Sequence, residues 1–230
     1  MVHSSMTIKA IFFDLDDTLL DTSGSRRERA EIAARILTER DPALDVDGVI
    51  ASILSPVSED GWPRGIASVL VELGLAQTPH GLQAHGAWFF EGCEHLLRSF
   101  EGCAETLALL RKRYTLGVIT NGTSSVQRRK YDLLGVEAHS RPELFIPSEA
   151  VGYNKPDSRI FEHALDLAGV SAAEALMVGD WLAVDVIGAQ DAGMRGVWFN
   201  PHGRDAPEGI VPDATIRRFD ELPGVIENLS

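Results

Sequence analysis

The chain has 230 residues, 44% hydrophobic and 24% charged, a size and balance suited to one large soluble domain or a domain with a modest insert. Its 21 Lys and Arg stand against 34 Asp and Glu, and the net charge of −13 repels nucleic-acid phosphates and anionic lipid, so neither is an expected partner. No apolar run approaches the ~20 residues that span a bilayer, and MVHSSMTIKA lacks the basic and apolar segments of a signal peptide, so no membrane partner and a cytoplasmic location are expected. Met6 is a second candidate start, which would make MVHSS a leader. The two cysteines, Cys93 and Cys103, are too few for a disulfide framework and match no zinc or redox spacing; both read as small buried hydrophobes.

In chain order, IKAIFFD is rich in β-branched and aromatic residues and reads as a buried strand. Residues 22–98 then read as helix throughout. SGSRRERAEIAARILTER, VDGVIASILS, GIASVLVELGL and HGAWFFEGCEHLLRSF show no convincing strand among them. The stretch is expected to be an all-helical domain, 22–98, inserted into a core domain formed by 1–21 and 99–230, with joints near 19–24 and 95–102. After it, strand-like and helix-like stretches alternate: CAETLALLRKR (helix), YTLGVITNG (strand), SSVQRRKYDLLGV (helix closing at Gly135) and ELFIPSE (short strand). PDSRIFEHALDLAGV follows as a helix with Asp157 as N-cap and Gly169 just past its end. SAAE has capping-box spacing and leads into the strand ALMVGD; WLAVDVIGAQDAGM is a helix, GVWFN a strand, and DATIRRF a last short strand with a helical turn. Buried strands alternating with amphipathic helices predict an α/β fold, a doubly wound parallel sheet whose ligands bind beyond the carboxyl ends of the strands.

Polar residues collect at those ends. The first strand runs into Asp14 and Asp16, with Thr18 two residues on; LGVIT ends in Thr120, followed by Asn121 and Gly122; VGYNKP carries Lys155; ALMVGD ends in Asp180, with Asp185 in the next turn of chain. Hard oxygen ligands in that number suit Mg2+, and a metal flanked by Lys155 and the backbone N–H groups near Asn121 makes a small cationic nest in an acidic protein. That is a phosphate site. Asp14 could attack phosphorus and form an aspartyl-phosphate, Asp16 could move the protons, and Lys155 could offset charge on the transferring group.

Each motif also has a plainer reading when taken alone. Asp16 or Asp17 could cap a helix, Thr120-Asn121-Gly122 could be a turn, Lys155 a solvated side chain before a helix, and Asp180 an N-cap. Their order, each at the end of its own strand, is what favours a joint site. Asp17 and Asp21 read as local residues, Asp17 in a turn and Asp21 as a cap where the chain leaves for the insert. His80, His85 and His95 show no metal spacing. Arg26, Arg27, Trp62 and Arg64 are candidates to meet a substrate from the insert, although a solvated or packed role is the plainer one for each.

The set DLDDT, TNG, Lys155-Pro156-Asp157 and GDWLAVD resembles the four motifs of the haloacid dehalogenase-like (HAD) superfamily of hydrolases, in the right order and over residues 8 to about 200. The helical insert resembles the C1-type cap of its phosphatases. The core most resembles the nucleotidase, phosphoglycolate phosphatase and sialic-acid phosphate phosphatase groups. The resemblance implies Asp14 as nucleophile and metal ligand, and Asp16 as general acid/base that binds metal through its carbonyl. It implies Thr18 as the residue orienting the motif loop at the phosphate site, Thr120 and Asn121 as phosphate-binding residues, and Lys155 as catalytic and phosphate-binding cation. Asp180 would be a metal ligand and Asp185 a ligand or its supporting partner. Ser158 stands where relatives often have Pro, and starts a helix as well. The function so implied is Mg2+-dependent hydrolysis of a small phosphorylated metabolite; for oligomeric state, a monomer or homodimer is the default expectation. A phosphomutase shares its intermediate. A 2-haloacid dehalogenase needs no metal and lacks the acidic residue at the position of Asp16, and a receiver-like phospho-acceptor module is about half this length.

Overall fold

The run AIFF forms β1 (Ala10–Phe13), and all four side chains are buried. A strand whose residues are apolar on both faces belongs inside a covered parallel sheet. A computed structural model of the chain, which describes residues 7–55, 65–89, 93–135 and 140–229, has that arrangement. By chain contacts it divides into two compact units, one of residues 1–21 and 99–230 and one of residues 22–98.

In the first unit, the chain leaves β1 through the two-residue strand β2 (Leu20–Asp21). The second unit follows as α1 (Arg26–Arg40), α2 (Val46–Leu54), α3 (Gly65–Glu72) and α4 (Pro79–Phe89). The chain returns through β3 (Arg98–Ser99), which pairs with β2. Then come α5 (Cys103–Leu110), β4 (Thr115–Thr120), α6 (Ser124–Leu133), β5 (Phe145–Pro147), α7 (Ser148–Val151) and α8 (Ser158–Ala168). The last elements are β6 (Ala175–Gly179), a π-helical turn (Leu182–Val186), α9 (Ile187–Asp191), β7 (Arg195–Phe199), β8 (Ala214–Ile216) and α10 (Leu222–Leu229).

The large sheet is six-stranded and parallel, in the order β5-β4-β1-β6-β7-β8. After β1 the chain builds outward on one side through β4 and β5, then crosses to build outward on the other through β6, β7 and β8. The order therefore reverses beside β1, where Ile11 lies opposite both Leu116 and Leu176. The carboxyl ends of strands at such a reversal form the usual crevice of an open α/β sheet. Side chains alternate across β1: Ile11 and Phe13 pack with Leu107, Leu110, Leu222 and Ile226 of α5 and α10, whereas Ala10 and Phe12 pack with Ile160, Phe161 and Ala189 of α8 and α9. Both faces are thus covered, as a doubly wound fold requires.

The helical unit has its own core. Ala30, Ala33, Ala34 and Leu37 line one face of α1 at helical spacing and meet Ile50 and Ile53 of α2, Val69 and Leu70 of α3, and Trp88 of α4. Arg29 is buried among them; its guanidinium donates to the Trp88 and Thr22 carbonyls at 2.8 and 2.6 Å and lies 4.9 Å from the Trp88 ring centre. A buried arginine held this way ties α1 to α4. Among the described residues no helix is long and apolar enough to cross a membrane.

Several local expectations are corrected. The stretch from residue 85 to 100 is not one helix: α4 ends at Phe89, a short 3-10 turn covers Glu94–Leu96, and Arg98–Ser99 is a strand, too brief for periodicity to reveal. Asp21 lies in β2 rather than at a cap, since α1 begins at Arg26 with Ser25 before it. The segment after Asp180 opens as a π turn before α9, and the tail continues past its short strand into α10. Asp157 caps α8 by accepting from the Arg159 N–H, Ser171 and Glu174 form the capping box, and both cysteines are buried. The proposed MVHSS leader, Trp62, Arg64 and the side chain of His80 lie outside the described residues. Of the arginines, Arg27 pairs with Glu31 within α1 and Arg26 lies 5.9 Å from the Trp88 ring centre.

Candidate active site

Asp14 directly follows β1, and its N–H donates to the Val178 carbonyl at 2.9 Å, extending the sheet ladder by one residue. That bond fixes the carboxylate at the tip of the central strand. Asp180 directly follows β6, and its N–H donates to the Thr18 hydroxyl at 2.9 Å. The fully buried Thr18 therefore ties the loop after β1 to the end of β6. Asp185 comes from the π turn, where its second oxygen accepts from the Trp181 N–H at 3.0 Å. Its side chain lies so close to Gly179 that an added Cβ there would sit 2.3 Å from the Asp185 Cβ. Glycine at the end of β6 is what lets Asp185 in.

Carboxylate oxygens of Asp14, Asp180 and Asp185 lie within 4.8 Å of one another. Lys155 Nζ donates to Asp14 at 2.5 Å and to Asp185 at 2.6 Å, and all three residues are buried. Burial works against the charge on Lys155, but Asp14 and Asp185 outweigh it and raise its pKa, so it stays protonated. Burial also pushes the Asp14 carboxyl well above its ordinary range; Lys155 pulls it down, and Asp185 and Asp180 push it up again. Asp180 is raised to about 7 by burial and by its neighbours Asp185 and Asp17, with Arg204 opposing. One buried lysine is too little positive charge for three crowded carboxylates, and hard oxygen donors at this spacing fit a divalent cation.

The carboxylate of Asp16 is in a different environment. Both of its oxygens accept from Lys130 Nζ, at 2.7 and 2.8 Å, and one also accepts from Gln127 Nε2 at 2.9 Å. The same Gln127 amide donates to the Thr120 hydroxyl at 2.5 Å and to the Asn121 carbonyl at 3.0 Å. Asn121 holds the backbone of Lys155 at both ends, donating to its carbonyl at 3.0 Å and accepting from its N–H at 2.8 Å.

Asp14, Asp180, Asp185 and Lys155 thus form one group, and Asp16 and Thr120 meet through Gln127 in a second. Thr18 and Asn121 serve as struts, with Thr18 on the Asp180 amide and Asn121 on the Lys155 peptide groups. Asp17 sits in a turn with φ of 58° and its N–H on the Leu20 carbonyl, outside the three-carboxylate group. Sequence reasoning missed Gln127, Lys130 and Arg204. Gln127 and Lys130 carried a faint signal, being three residues apart on one face of α6 beside the buried Tyr131. Arg204 carried none; it reaches the Asp180 carbonyl and carboxylate at 3.1 and 3.3 Å from the loop after β7.

A parallel α/β sheet with an acidic, lysine-clamped group at its strand reversal offers carboxylates that could serve as nucleophile, proton carriers or metal ligands. The sequence pattern of the haloacid dehalogenase-like hydrolases matches residues 8–193. A glyceraldehyde 3-phosphate phosphatase of Pyrococcus abyssi is 34% identical, over 96% of this chain and 94% of its own. Among solved structures, an HAD phosphatase from Thermococcus onnurineus superposes with a TM-score of 0.74 at 27% identity, over 95% of this chain and 98% of that one. A 2-haloacid dehalogenase from Pseudomonas syringae pv. Tomato DC3000 superposes with a TM-score of 0.65 at 28% identity, over 97% and 100%. The chain belongs to the haloacid dehalogenase-like hydrolase family.

Proposed function

We infer that the chain is a phosphatase, and propose that it is a Mg2+-dependent one acting on a small phosphorylated metabolite in the cytoplasm through an aspartyl-phosphate on Asp14. The observation that most supports this is the setting of Asp14: a buried carboxylate at the tip of the central strand, in contact with the Lys155 ammonium and grouped with two further carboxylates. An oxygen of Asp14 attacks phosphorus as the ester P–O bond breaks, and Asp16 passes a proton to the departing oxygen. Asp16 then removes a proton from a water whose oxygen attacks phosphorus, releasing phosphate and restoring the Asp14 carboxylate. Lys155 offsets negative charge on the transferring group from a preorganised position. Asp14, Asp180 and Asp185, with the Asp16 carbonyl, would hold Mg2+, which when bound supplies the positive charge that lets a phosphate dianion approach three carboxylates. The helical unit of residues 22–98 is proposed to act as the cap that chooses the leaving group.

A dehalogenase would use the same nucleophile, but Asp16 and the Asp180–Asp185 pair are what phosphoryl transfer needs and dehalogenation does not. Given the name of the Pyrococcus abyssi relative, triose phosphates stand first among candidate substrates, ahead of other sugar phosphates, nucleoside monophosphates and phosphoglycolate. Hydrolysis of p-nitrophenyl phosphate is expected with Mg2+ and not with EDTA, and Asp14→Asn is expected to abolish it while remaining folded. Inactivity in both conditions, or dechlorination of chloroacetate without metal, would overturn the phosphatase reading. A full transfer of the phosphoryl group back to a sugar would make the protein a mutase instead.

A further inference from the structure

Lys130 is buried, and among the described residues its ammonium makes its hydrogen bonds to one side chain, the carboxylate of Asp16, which lies 114 residues earlier. Burying a lysine is costly unless it is paired, so this contact decides where Lys130 goes. Gln127, 2% exposed, adds a third bond to the same carboxylate. Its amide also reaches Thr120 and the Asn121 carbonyl, so one group joins the loop after β1 to the end of β4. Gly122 makes room for it: φ there is 136°, and an added Cβ would lie 3.2 Å from the Gln127 side chain. Packing alone does not call for three hydrogen bonds from two buried side chains converging on a carboxylate whose side chain is 31% exposed.

We propose that Lys130 and Gln127 are positioning residues for Asp16, holding its carboxylate in one orientation while it gives a proton to the leaving oxygen and later takes one from water. The proposal rests on the phosphatase reading and deepens it. A side chain that must move two protons at nearly the same place benefits from a fixed orientation, because small misplacements are costly in rate. The Gln127 amide also ties Asp16 to Thr120.

The test uses leaving groups. An alkyl phosphate such as glycerol 2-phosphate needs its departing oxygen protonated, whereas p-nitrophenolate departs with little help. With Mg2+, release of the first equivalent of alcohol would be timed in the wild type, Lys130→Met, Gln127→Ala, Asp16→Asn and the Lys130→Met/Asp16→Asn double variant. Lys130→Met is expected to slow the alkyl ester by about tenfold or more and the aryl ester by under about threefold, within the roughly 10²–10⁴ that a general acid contributes. In the Asp16→Asn background it is expected to cost under about twofold more, because residues acting as a unit are not additive. Gln127→Ala, which keeps the Lys130–Asp16 pair and so the better chance of folding, is expected to show the same pattern more weakly. Equal losses on both esters, no loss, or a further loss when Asp16 is already gone would overturn the proposal. A wild type inert toward both esters would remove the phosphatase reading and this proposal with it, whereas an active wild type with an unaffected Lys130→Met removes the proposal alone.

Discussion

At Lys155 a single ammonium stands between two buried carboxylates, 2.5 Å from Asp14 and 2.6 Å from Asp185. Removing it leaves both unpaired in a low-dielectric setting, the arrangement that makes broken buried ion pairs costly. Lys155→Met is therefore expected to lose about 3–5 kcal/mol of stability near neutral pH, read from urea midpoints, and to lose turnover. Added Mg2+ should recover part of the stability and none of the turnover; full activity in the variant would contradict the role given to Lys155. Asp14, Thr120 and Asp180 were legible in the sequence because local pattern alone places each at the end of an apolar strand. The contacts that hold the site residues in place were not. Lys130 meets Asp16, and Asn121 meets the backbone of Lys155, through contacts that only the assembled sheet creates.

Among the elements, β6 and the turn after it show how tightly the site is packed. Gly179→Ala would drive a methyl group into the Asp185 side chain, whose Cβ would lie 2.3 Å away, so the strand end or Asp185 must shift. A loss of about 1–3 kcal/mol is expected from such overpacking, with activity falling further because Asp185 is displaced from Lys155. A variant as stable and active as the wild type would show that the contact is relieved cheaply. The long buried strands and amphipathic helices declared themselves by period and by caps such as Asp157 and the Ser171–Glu174 box. The two-residue strands β2 and β3 did not, because they are shorter than any hydrophobic period. The π turn at Leu182–Val186 carries the same apolar run as an α-helix, and only its bond pattern differs.

For the whole molecule, the crowded carboxylates are expected to couple folding to pH and to a bound cation. Asp180 sits at about 7 in the fold against an ordinary 3.8, so the folded state binds the proton more tightly than the unfolded chain. Its contribution is full below the ordinary value and is lost as pH rises towards 7. In EDTA, stability from this group is expected to decline over that window and then level off; with Mg2+ bound the decline should flatten, since the cation favours the ionised form. Melting curves across pH with and without metal would check both, and identical profiles would argue against a cation at the three carboxylates. That the sheet is parallel and doubly wound was readable from strand and helix alternation, whereas its strand order emerges only from the pairing of the assembled strands.

The central claim is that phosphorus passes through Asp14. Acid-quenched enzyme, sampled by mass spectrometry while turning over a phosphomonoester, should carry a phosphoryl group on the peptide that holds Asp14. The amount should depend on Mg2+ and should rise in Asp16→Asn, where the water is no longer deprotonated. An enzyme that hydrolyses the ester while that peptide stays unmodified, in the wild type and in Asp16→Asn alike, would contradict the account.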